Sequence, residues 1–444
     1  MTQDNTTTEF VNDDNPMYEV PLDKRQHWLV PAMIFGGCEF CIPILMVGAM
    51  LTPSFSLKAI LPVLFLSFIV IQWGGNALSG YIGAKTGRTA SVVARCAFGS
   101  LQARIIIATV ILFTMAGWWS VQTSVAGNSF CAMFGIDYND PANHIKWSLI
   151  VLIAGVSFAI PSVLGYSSMK WTDYLAVPGG LILVVMGLYL GVTHSGGIDA
   201  LLRYEPSEAT MSIATAISVI LGMNITQWVY APDYTRYAKP AIRDNLMIPL
   251  VGIIAVGVPL IYVGAIMSVG QNTGDIVQVM VNLGFPFWGF LILWLSTWTS
   301  QLVNNYSMGL AFSNLLNAKT NKGRMTLTVI GTIISLAASL LGLLKYFEDF
   351  LYMSGVCYSP IATVIFSDFL MRKRNWENHE GWNWVATVAI AVGIWLGFYT
   401  TYVKPMGIPV VQCLVVTAIV YVAGMKLKAA IKPDCFTEGI FVGK

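Results

Sequence analysis

The sequence FGGCEFCIP, residues 35–43, places an acidic side chain, Glu39, inside a long apolar run. Two adjacent glycines, Gly36 and Gly37, precede Glu39 and lower the cost of leaving helical geometry. Pro43 follows four residues later and has no N–H to donate to the Glu39 carbonyl. We therefore predict a helix that breaks here and leaves backbone groups free to bind a cation or a polar ligand. The alternative is a kinked packing helix in which Glu39 is protonated and hydrogen-bonded to a neighbour.

The composition of the whole chain is unusually apolar. Of the 444 residues, 56% are hydrophobic and 11% are charged, whereas soluble domains carry about 25% charged residues. Mean hydropathy is +0.66, and at roughly 20 residues per crossing the apolar content suffices for about twelve membrane spans. This excludes an ordinary cytosolic enzyme. The net charge of +2 and the scattered basic residues also exclude a nucleic-acid partner.

Apolar runs separated by polar breaks give the positions of these spans. We predict them at residues 28–50, 60–82, 105–134, 147–165, 173–193, 211–231, 246–269, 286–314, 325–344, 348–371, 383–402 and 408–430. With the N-terminus inside, five of the 25 lysines and arginines fall on the outer side: Lys58, Lys146, Arg203, Lys345 and Lys404. Basic residues concentrate in cytoplasmic loops, so this bias predicts an even number of spans with both termini in the cytoplasm.

A second interrupted span lies in the other half of the chain. The sixth span contains LGMNITQWVYAPDYTRY, residues 221–237, in which Gly222 precedes three mid-span polar residues, Asn224, Thr226 and Gln227. Gly222 lies 186 residues after Gly36, and Asn305 of the eighth span lies 183 residues after Gln122 of the third. These similar offsets predict two five-span halves, and because five is odd the second half is inserted upside down.

The predicted organisation follows from this repeat. A cytoplasmic tail, 1–27, leads into the first five-helix repeat, 28–193. The second, inverted repeat covers 211–371, two additional helices cover 383–430, and a cytoplasmic tail covers 431–444. The fold class is thus an all-α integral membrane protein with twelve transmembrane helices. In such proteins the binding site lies at mid-membrane between the two halves.

The eighth span is too polar for every side of it to face lipid. Within ten residues it carries Ser296, Thr297, Thr299, Ser300, Gln301, Asn304 and Asn305. The hydroxyls of Thr299 and Ser300 are hard oxygen ligands suited to a small monovalent cation. The amides of Gln301 and Asn305 are four residues apart and project from one helix face. The alternative is hydrogen bonding between helices, worth about 0.6 kcal/mol per contact.

The third span offers an aromatic surface beside an amide. Trp118 and Gln122 are one helical turn apart and share a face. An indole can stack on a planar ring while the amide bonds the edge of that ring. The alternative for an intramembrane tryptophan is packing or anchoring at the membrane interface.

Three further motifs resemble those of a known protein family, and the resemblance extends over residues 24–430. They are GYIGAKTGRTASVVARCAFG at 80–99, APDYTRYAK at 231–239 and NNYSMGLAFSNLL at 304–316. The chain resembles the nucleobase-cation-symport-1 family, and within it the cytosine permease branch of cytosine and purine permeases. The resemblance implies two inverted five-helix repeats plus two trailing helices, as in the sodium-coupled leucine transporter. It also implies uptake of nucleobases or related heterocycles.

The resemblance further implies site residues. The sodium site of the family would use the Gly36 and Glu39 carbonyls with Ser296, Thr299 and Ser300. The substrate pocket would be lined by Glu39, Phe40, Trp118, Gln122, Met223, Asn224, Gln301 and Asn305. Two positions depart from the family pattern: Asn224 stands where relatives carry an aromatic residue, and Glu39 stands where cytosine permeases carry an apolar one. The more polar pocket could favour a substrate with a cationic or amidine-like edge over cytosine itself.

The main hypothesis is a secondary transporter that imports a small planar nitrogen heterocycle, such as a nucleobase, with sodium by alternating access. The alternative is a proton-coupled carrier of an amino acid or cationic organic solute on the same fold, with Glu39 as the titrating group. An enzyme would need a nucleophile, base or metal set at one membrane face, and the sequence shows none. We expect a monomer in the plasma (inner) membrane, in contact with the lipid bilayer.

Overall fold

The structure, a computed structural model, describes residues 17–164, 166–206, 209, 211–271 and 273–440, with the backbone alone at 166–177. Within these ranges the regular elements are helices, and the strand-like pairing is one isolated β-bridge between Gln26 and Ala238. Residues 1–16 and 441–444 of the two predicted tails lie outside the described part. The predicted all-α class is confirmed.

The helices that correspond to the predicted spans follow one another along the chain in the predicted order. They are α1 Leu29–Glu39, α2 Ile42–Leu51, α3 Leu57–Thr86, α4 Ser100–Met133, α5 Pro141–Leu164, α6 Tyr166–His194, α7 Ile213–Asn224, α8 Gln227–Tyr230, α9 Ile242–Ser268, α10 Phe287–Leu315, α11 Asn321–Leu340, α12 Leu343–Met371, α13 Trp384–Val403 and α14 Pro409–Ile431.

Most of these helices can cross a membrane. In the described part of the chain nine helices are long and apolar enough to cross a membrane, when α7 and α8 are counted as one helix. Counting the bent pair of α1 and α2 as one further span gives ten. The other two predicted spans correspond to α6 and α10, helices of 29 residues each. Every predicted span therefore coincides with a helix, while the count of twelve crossings stays a prediction.

The first span is broken where the sequence predicts. Helix α1 ends at Glu39, α2 begins at Ile42, and their axes differ in direction by 57°. Phe40 has a ψ of 69° and Cys41 is extended, so the ladder of helical hydrogen bonds stops between them. Pro43 then occupies the first turn of α2, where its missing N–H removes no helical bond.

The sixth span is broken as well. Helix α7 ends at Asn224, two residues in turn conformation follow, and α8 begins at Gln227. One turn before the break, the Leu351 carbonyl of α12 occupies the position where a side chain on Gly222 would begin. Glycine is therefore required for this close approach of α12 to α7.

Neighbouring helices hold the two broken spans. Helix α9 packs along α2, and here the carbonyls of Ile261 and Leu45 fill the positions of side chains on Gly48 and Gly264, respectively. Helix α10 packs along α4 and also contacts α5, α6 and α11, while α13 and α14 pack on each other and on α12. Small residues at these crossings replace the hydrophobic effect as the source of tight association.

The outer surface of the helices is apolar. Phe65 and Val70 on α3, Ile153 on α5 and Ile419 on α14 are each more than half exposed. Polar side chains of α4 and α10, by contrast, are buried in the interior. An apolar surface around a polar interior is favourable in lipid and unfavourable in water, as expected for an integral membrane protein.

Candidate functional site

The two helix breaks meet at a cavity whose lining residues are all buried. Helices α1, α2, α4 and α10 contribute to its wall together with the broken sixth span. The lining residues are Cys38, Glu39, Cys41, Ile44, Trp118, Gln122, Met223, Asn224, Thr226, Gln227, Tyr230, Ser300 and Asn304.

Five of the predicted substrate residues line this cavity: Glu39, Trp118, Gln122, Met223 and Asn224. They come from three separate parts of the chain, and the helix breaks bring them together. Trp118 is fixed by edge-to-face contacts with Phe347 and Phe350, at ring distances of 6.1 and 5.1 Å. These contacts fix its indole as one wall of the cavity.

Three other predicted residues lie outside the lining. The Phe40 ring lies against Gly180 of α6. The Gln301 amide donates to the Trp119 carbonyl at 2.7 Å and to the Thr123 hydroxyl, which ties α10 to α4. Asn305 lies one helical turn further along the same face of α10 and also makes hydrogen bonds to neighbouring helices.

The Asn305 side chain connects three helices. Its amide nitrogen donates to the Ser162 hydroxyl of α5 at 2.8 Å, and its oxygen accepts from the Thr332 hydroxyl of α11 at 3.0 Å. Both polar atoms are therefore used within the protein in this conformation. Asn305 and Gln301 connect helices here, and a role for either in binding substrate stays a prediction.

Several lining residues are not among those predicted from the sequence to bind substrate or sodium, namely Cys38, Cys41, Ile44, Thr226, Gln227, Tyr230 and Asn304. Helical spacing could have found two of them. Gln227 lies three residues after Asn224, and Asn304 lies four residues after Ser300. The backbone break between Asn224 and Gln227 hides the first relation in the sequence.

Several polar atoms around the cavity have no hydrogen-bond partner among the described protein atoms. Three are donors, on Trp118 (Nε1), Asn224 (Nδ2) and Asn304 (Nδ2), and one is an acceptor on Gln122 (Oε1). Buried polar groups are normally paired, because an unpaired one costs about 1 to 3 kcal/mol. The cavity is therefore suited to a ligand that both accepts and donates hydrogen bonds.

Glu39 is the one acidic residue of the lining and is only 1% exposed. Its Oε1 accepts a hydrogen bond from the Gln227 amide at 2.8 Å. Its Oε2 has no partner, and no cationic side chain pairs with Glu39 within the described residues. A buried carboxylate without a counter-charge is costly, so the site needs a proton or a cation there.

The predicted sodium ligands lie where α10 touches the first break. The Thr299 hydroxyl donates to the Gly37 carbonyl at 2.7 Å, and Ser300 Oγ lies 3.6 Å from Cys38 Sγ. The Ser296 hydroxyl is buried and has no partner among the described atoms. These oxygens fit a small hard cation.

The carbonyls of this site differ in detail from the expectation. Gly36 O accepts from the Phe40 N–H at 3.2 Å, and Glu39 O accepts from the Cys41 N–H at 2.7 Å. It is the Gly37 carbonyl that meets Thr299. Ligation by Gly36 and Glu39 stays a prediction.

A helical membrane protein whose two broken helices meet at a buried polar cavity has the architecture of a secondary transporter. Comparison with known proteins agrees with this class. A sequence model of permeases for cytosine/purines, uracil, thiamine and allantoin matches residues 20–424. The chain belongs to this family, the nucleobase-cation-symport-1 family, as its motifs predict. It is a permease and not an enzyme.

Individual proteins show the extent of the similarity. The chain is 28% identical over 335 residues to the cytosine permease of Escherichia coli (strain K12), covering 74% of this chain and 75% of that protein. Among solved structures it is similar to Mhp1, a nucleobase-cation-symport-1 family transporter, in a closed conformation with bromovinylhydantoin bound. The TM-score is 0.80, with 17% identity over 95% of this chain and 96% of the other.

Other structures confirm the fold. The inward-facing conformation of Mhp1 matches with a TM-score of 0.74. A Na+-coupled sialic acid symporter in its substrate-bound outward-open state matches with a TM-score of 0.69, at 14% identity over 95% of this chain and 93% of that one. The leucine-transporter-like fold is thus confirmed, while the boundaries of the two repeats stay predictions.

Proposed function

We propose that this permease imports a nucleobase or a closely related small planar nitrogen heterocycle, with a cytosine-like arrangement of polar groups. Transport is coupled to sodium and proceeds by alternating access. Family membership and the chemistry of the buried cavity support this proposal.

The observation that carries it is the set of unpartnered polar atoms beside Trp118. Donors on Asn224 and Asn304 and an acceptor on Gln122 surround the cavity without partners among the described atoms. A ring with alternating carbonyl, ring-nitrogen and amino groups offers complementary acceptors and donors along its edge. The Trp118 indole supplies a flat surface for the face of such a ring.

Sodium coupling is supported by the oxygen set at the first break. The side chains of Ser296, Thr299 and Ser300 and the Gly37 carbonyl would hold the ion. A bound ion would bridge α1 and α10, so sodium would stabilise the arrangement of the cavity before the substrate binds. A sodium-coupled symporter among the structural neighbours supports the same coupling ion.

Alternating access is supported by the two conformations of Mhp1, closed and inward-facing, that share this fold. In this mechanism the halves on either side of the cavity open it to one membrane face at a time. The broken helices α1/α2 and α7/α8 are the natural hinges, because the helical hydrogen-bond pattern is interrupted at each break.

One observation favours a second candidate function. Glu39 is buried, has no cationic partner among the described residues, and keeps an unpaired oxygen. A proton-coupled carrier of an amino acid or a cationic organic solute would use such a carboxyl as its proton acceptor. In that case the proton, and not sodium, would be the coupling ion.

Uptake into proteoliposomes distinguishes the two functions. Radiolabelled cytosine is supplied while the sodium and pH gradients are varied separately, with other nucleobases, hydantoin, allantoin and amino acids as competitors. We expect uptake that requires sodium and is inhibited by planar heterocycles. Uptake that follows the pH gradient without sodium, with amino acids as the best competitors, would contradict the proposal.

The Thr299→Ala variant tests the sodium site in the same assay. We expect the sodium concentration for half-maximal uptake to rise by about tenfold, the effect of losing roughly 1.4 kcal/mol of binding free energy. Thr109→Ala is a suitable control, because this half-buried threonine of α4 also donates its hydroxyl to a helix carbonyl. An unchanged sodium response of Thr299→Ala would place the ion elsewhere.

A further inference from the structure

Glu39 and an amide of α3 determine the orientation of the Gln227 side chain. A carboxylate oxygen without a proton can only accept hydrogen bonds, so the group of Gln227 that meets Glu39 Oε1 must be its NH2 group. Gln227 Nε2 indeed donates to this oxygen at 2.8 Å. At the other end of the amide, Gln227 Oε1 accepts from Asn76 Nδ2 at 3.5 Å. Both neighbours therefore favour the same one of the two orientations that an amide can take.

The orientation of Gln227 in turn determines that of Asn224, the last residue of α7. Gln227 Nε2 uses its second hydrogen to donate to Asn224 Oδ1 at 3.4 Å. The negative charge of Glu39 attracts the NH2 group of Asn224, which favours the same orientation. The backbone is held separately, because Gln72 Nε2 of α3 donates to the Asn224 carbonyl at 2.8 Å. Rotation of its side-chain amide is thus the main freedom left to Asn224.

Asn224 consequently presents a hydrogen-bond donor to the cavity. Its side chain belongs to the lining, its oxygen is bonded to Gln227, and its Nδ2 is buried without a hydrogen-bond partner among the described atoms. Turning the amide over would bring two NH2 groups together, those of Asn224 and Gln227. Both side chains are only 3% exposed, so water cannot compensate for that contact. The polarity of this position is therefore fixed before a substrate arrives.

The other amide of the cavity wall is less constrained. Gln122 Nε2 has the Cys41 thiol as its neighbour, with 4.0 Å between nitrogen and sulfur, and sulfur is a weak acceptor. The Gln122 amide can therefore turn to suit either a donor or an acceptor on the substrate. Selection between the two falls to Asn224.

We propose that Gln227 is a positioning residue that fixes Asn224 as a hydrogen-bond donor, so that the cavity selects a substrate with a carbonyl oxygen, and not an amino group, at this position. The inference rests on the proposed function, because it requires that the cavity binds a heterocycle. It narrows the substrate class to rings that carry at least one carbonyl oxygen on the edge. Rings with amino groups alone on the edge are rejected.

A pair of ring compounds of the same size and shape tests the proposal. Pyrimidin-2-one and 2-aminopyrimidine are uncharged and carry a carbonyl and an amino group, respectively, at the same ring carbon. The inhibition constant of each is measured against binding of radiolabelled cytosine to the purified protein, at one sodium concentration and one pH. We expect wild type to bind pyrimidin-2-one about tenfold more tightly, the discrimination typical of one matched hydrogen-bond pattern.

Exchanging the two side chains in Glu39→Gln/Gln227→Glu reverses the polarity and keeps the charge and atoms of the pair. The carboxylate then lies at position 227, where it accepts hydrogen bonds from the amide at position 39 and from Asn76. It also requires a donor from Asn224, so this amide turns and presents Oδ1 to the cavity. We expect the ratio of the two inhibition constants to shift by about tenfold or more in favour of 2-aminopyrimidine.

Asn224→Leu separates positioning from a general structural effect. In this background no amide is left to turn, so the exchange of residues 39 and 227 should leave the ratio of inhibition constants unchanged. Gln102→Glu is the matched control, at a buried glutamine of α4 that donates to the Thr387 hydroxyl at 3.0 Å. It should have the same ratio as wild type.

The possible results separate this inference from the proposed function. An equal ratio in wild type and the exchange variant overturns the inference alone, because both proteins still bind cytosine. A shift that persists in the Asn224→Leu background means that residue 227 contacts the ring itself, and also overturns it. Wild type that binds none of the heterocycles overturns the proposed function and the inference with it.

Gln227→Met replaces the exchange variant if that protein does not fold. Methionine has a similar length but no amide, so Asn224 is free to turn, and we expect the preference for pyrimidin-2-one to fall by about tenfold. A preference equal to that of wild type would overturn the inference.

Discussion

Among the cavity residues, Trp118 has the strongest structural support for a predicted stacking contact with the substrate. It lines the cavity, its ring is fixed by Phe347 and Phe350, and its Nε1 has no partner among the described atoms. Stacking of a base on an aromatic side chain is worth about 1 to 3 kcal/mol. We expect Trp118→Ala to weaken substrate binding by roughly tenfold or more, measured by isothermal titration or by competition in uptake.

The control for this substitution is Trp395→Ala, at a tryptophan of α13 that is 63% exposed on the outer surface. It should leave substrate affinity unchanged. Equal affinity of folded Trp118→Ala and wild type would remove stacking from the binding model.

Gln122 and Asn305 are predicted to occupy related positions in the two halves, yet their surroundings differ. Gln122 faces the cavity with an unpaired oxygen, whereas both polar atoms of Asn305 are bonded to α5 and α11. We expect Gln122→Leu to weaken substrate binding by about tenfold and Asn305→Leu to lower the stability by about 1 to 3 kcal/mol. Binding and melting measurements on both variants should separate the effects, and a reversed pattern would return Asn305 to the substrate pocket.

The reason that the sequence does not distinguish these amides is geometric. Helix α10 carries polar residues on several faces, so helical spacing identifies which of them share a face but not what that face contacts. The bond between Glu39 and Gln227 joins residues 188 positions apart, and a local pattern holds no information on such a contact. The position of Glu39 in the cavity lining was predictable. A charge inside an apolar run is costly, so its presence there indicates a functional site.

At the scale of single helices, the close contact between α7 and α12 can be tested at Gly222. A Cβ at this position would collide with the Leu351 carbonyl, which is backbone and has no rotamer to adopt. Overpacking of this kind costs about 1 to 3 kcal/mol. We therefore expect Gly222→Ala to lower the melting temperature and to reduce transport, because the sixth span breaks one turn further on.

Gly74→Ala is the matched control on α3, since a Cβ at Gly74 meets nothing within 4 Å. Alanine there should be neutral or stabilising by about 0.5 to 1 kcal/mol, as for other helical glycines. Similar melting temperatures for Gly222→Ala and Gly74→Ala would show that α7 and α12 can move apart without a loss of stability.

The positions of the helices were largely predictable, and so was the first break. Every predicted span coincides with a helix, and the glycine pair with Pro43 predicted the break at which the helix axes differ by 57°. The π-helical segments were not predictable, for example Leu66–Gln72 in α3 and Leu250–Ile254 in α9. Such a segment widens the turn of a helix without altering its average hydropathy, so the sequence pattern around it stays the same.

For the whole molecule, the orientation in the membrane is the main prediction that the fold leaves open. The distribution of basic residues predicts that both termini lie in the cytoplasm and that Lys146, near the start of α5, lies outside. A membrane-impermeant maleimide tests this with Lys146→Cys in a Cys435→Ser background and with the native Cys435, which is exposed in the C-terminal segment. We expect Lys146→Cys to react in intact cells and Cys435 to react only after permeabilisation.

The opposite labelling pattern would mean an inverted topology. Reaction at both positions in intact cells would mean that one span is missing from the count, since the two positions would then lie on the same side. Either result would leave the helix assignments intact and would change only their direction across the bilayer.

The unpaired carboxylate of Glu39 has an electrical consequence. An ionised Glu39 is a fixed negative charge midway along the first span. Moving one elementary charge across a membrane potential of 100 mV changes its free energy by about 2.3 kcal/mol. With one sodium ion and a neutral ring the loaded site carries no net charge, so a negative cell interior does not act on its inward movement. The empty site carries one negative charge, which the same voltage drives back outward. The empty return is then the voltage-dependent half-cycle, and Glu39→Gln should abolish its voltage dependence.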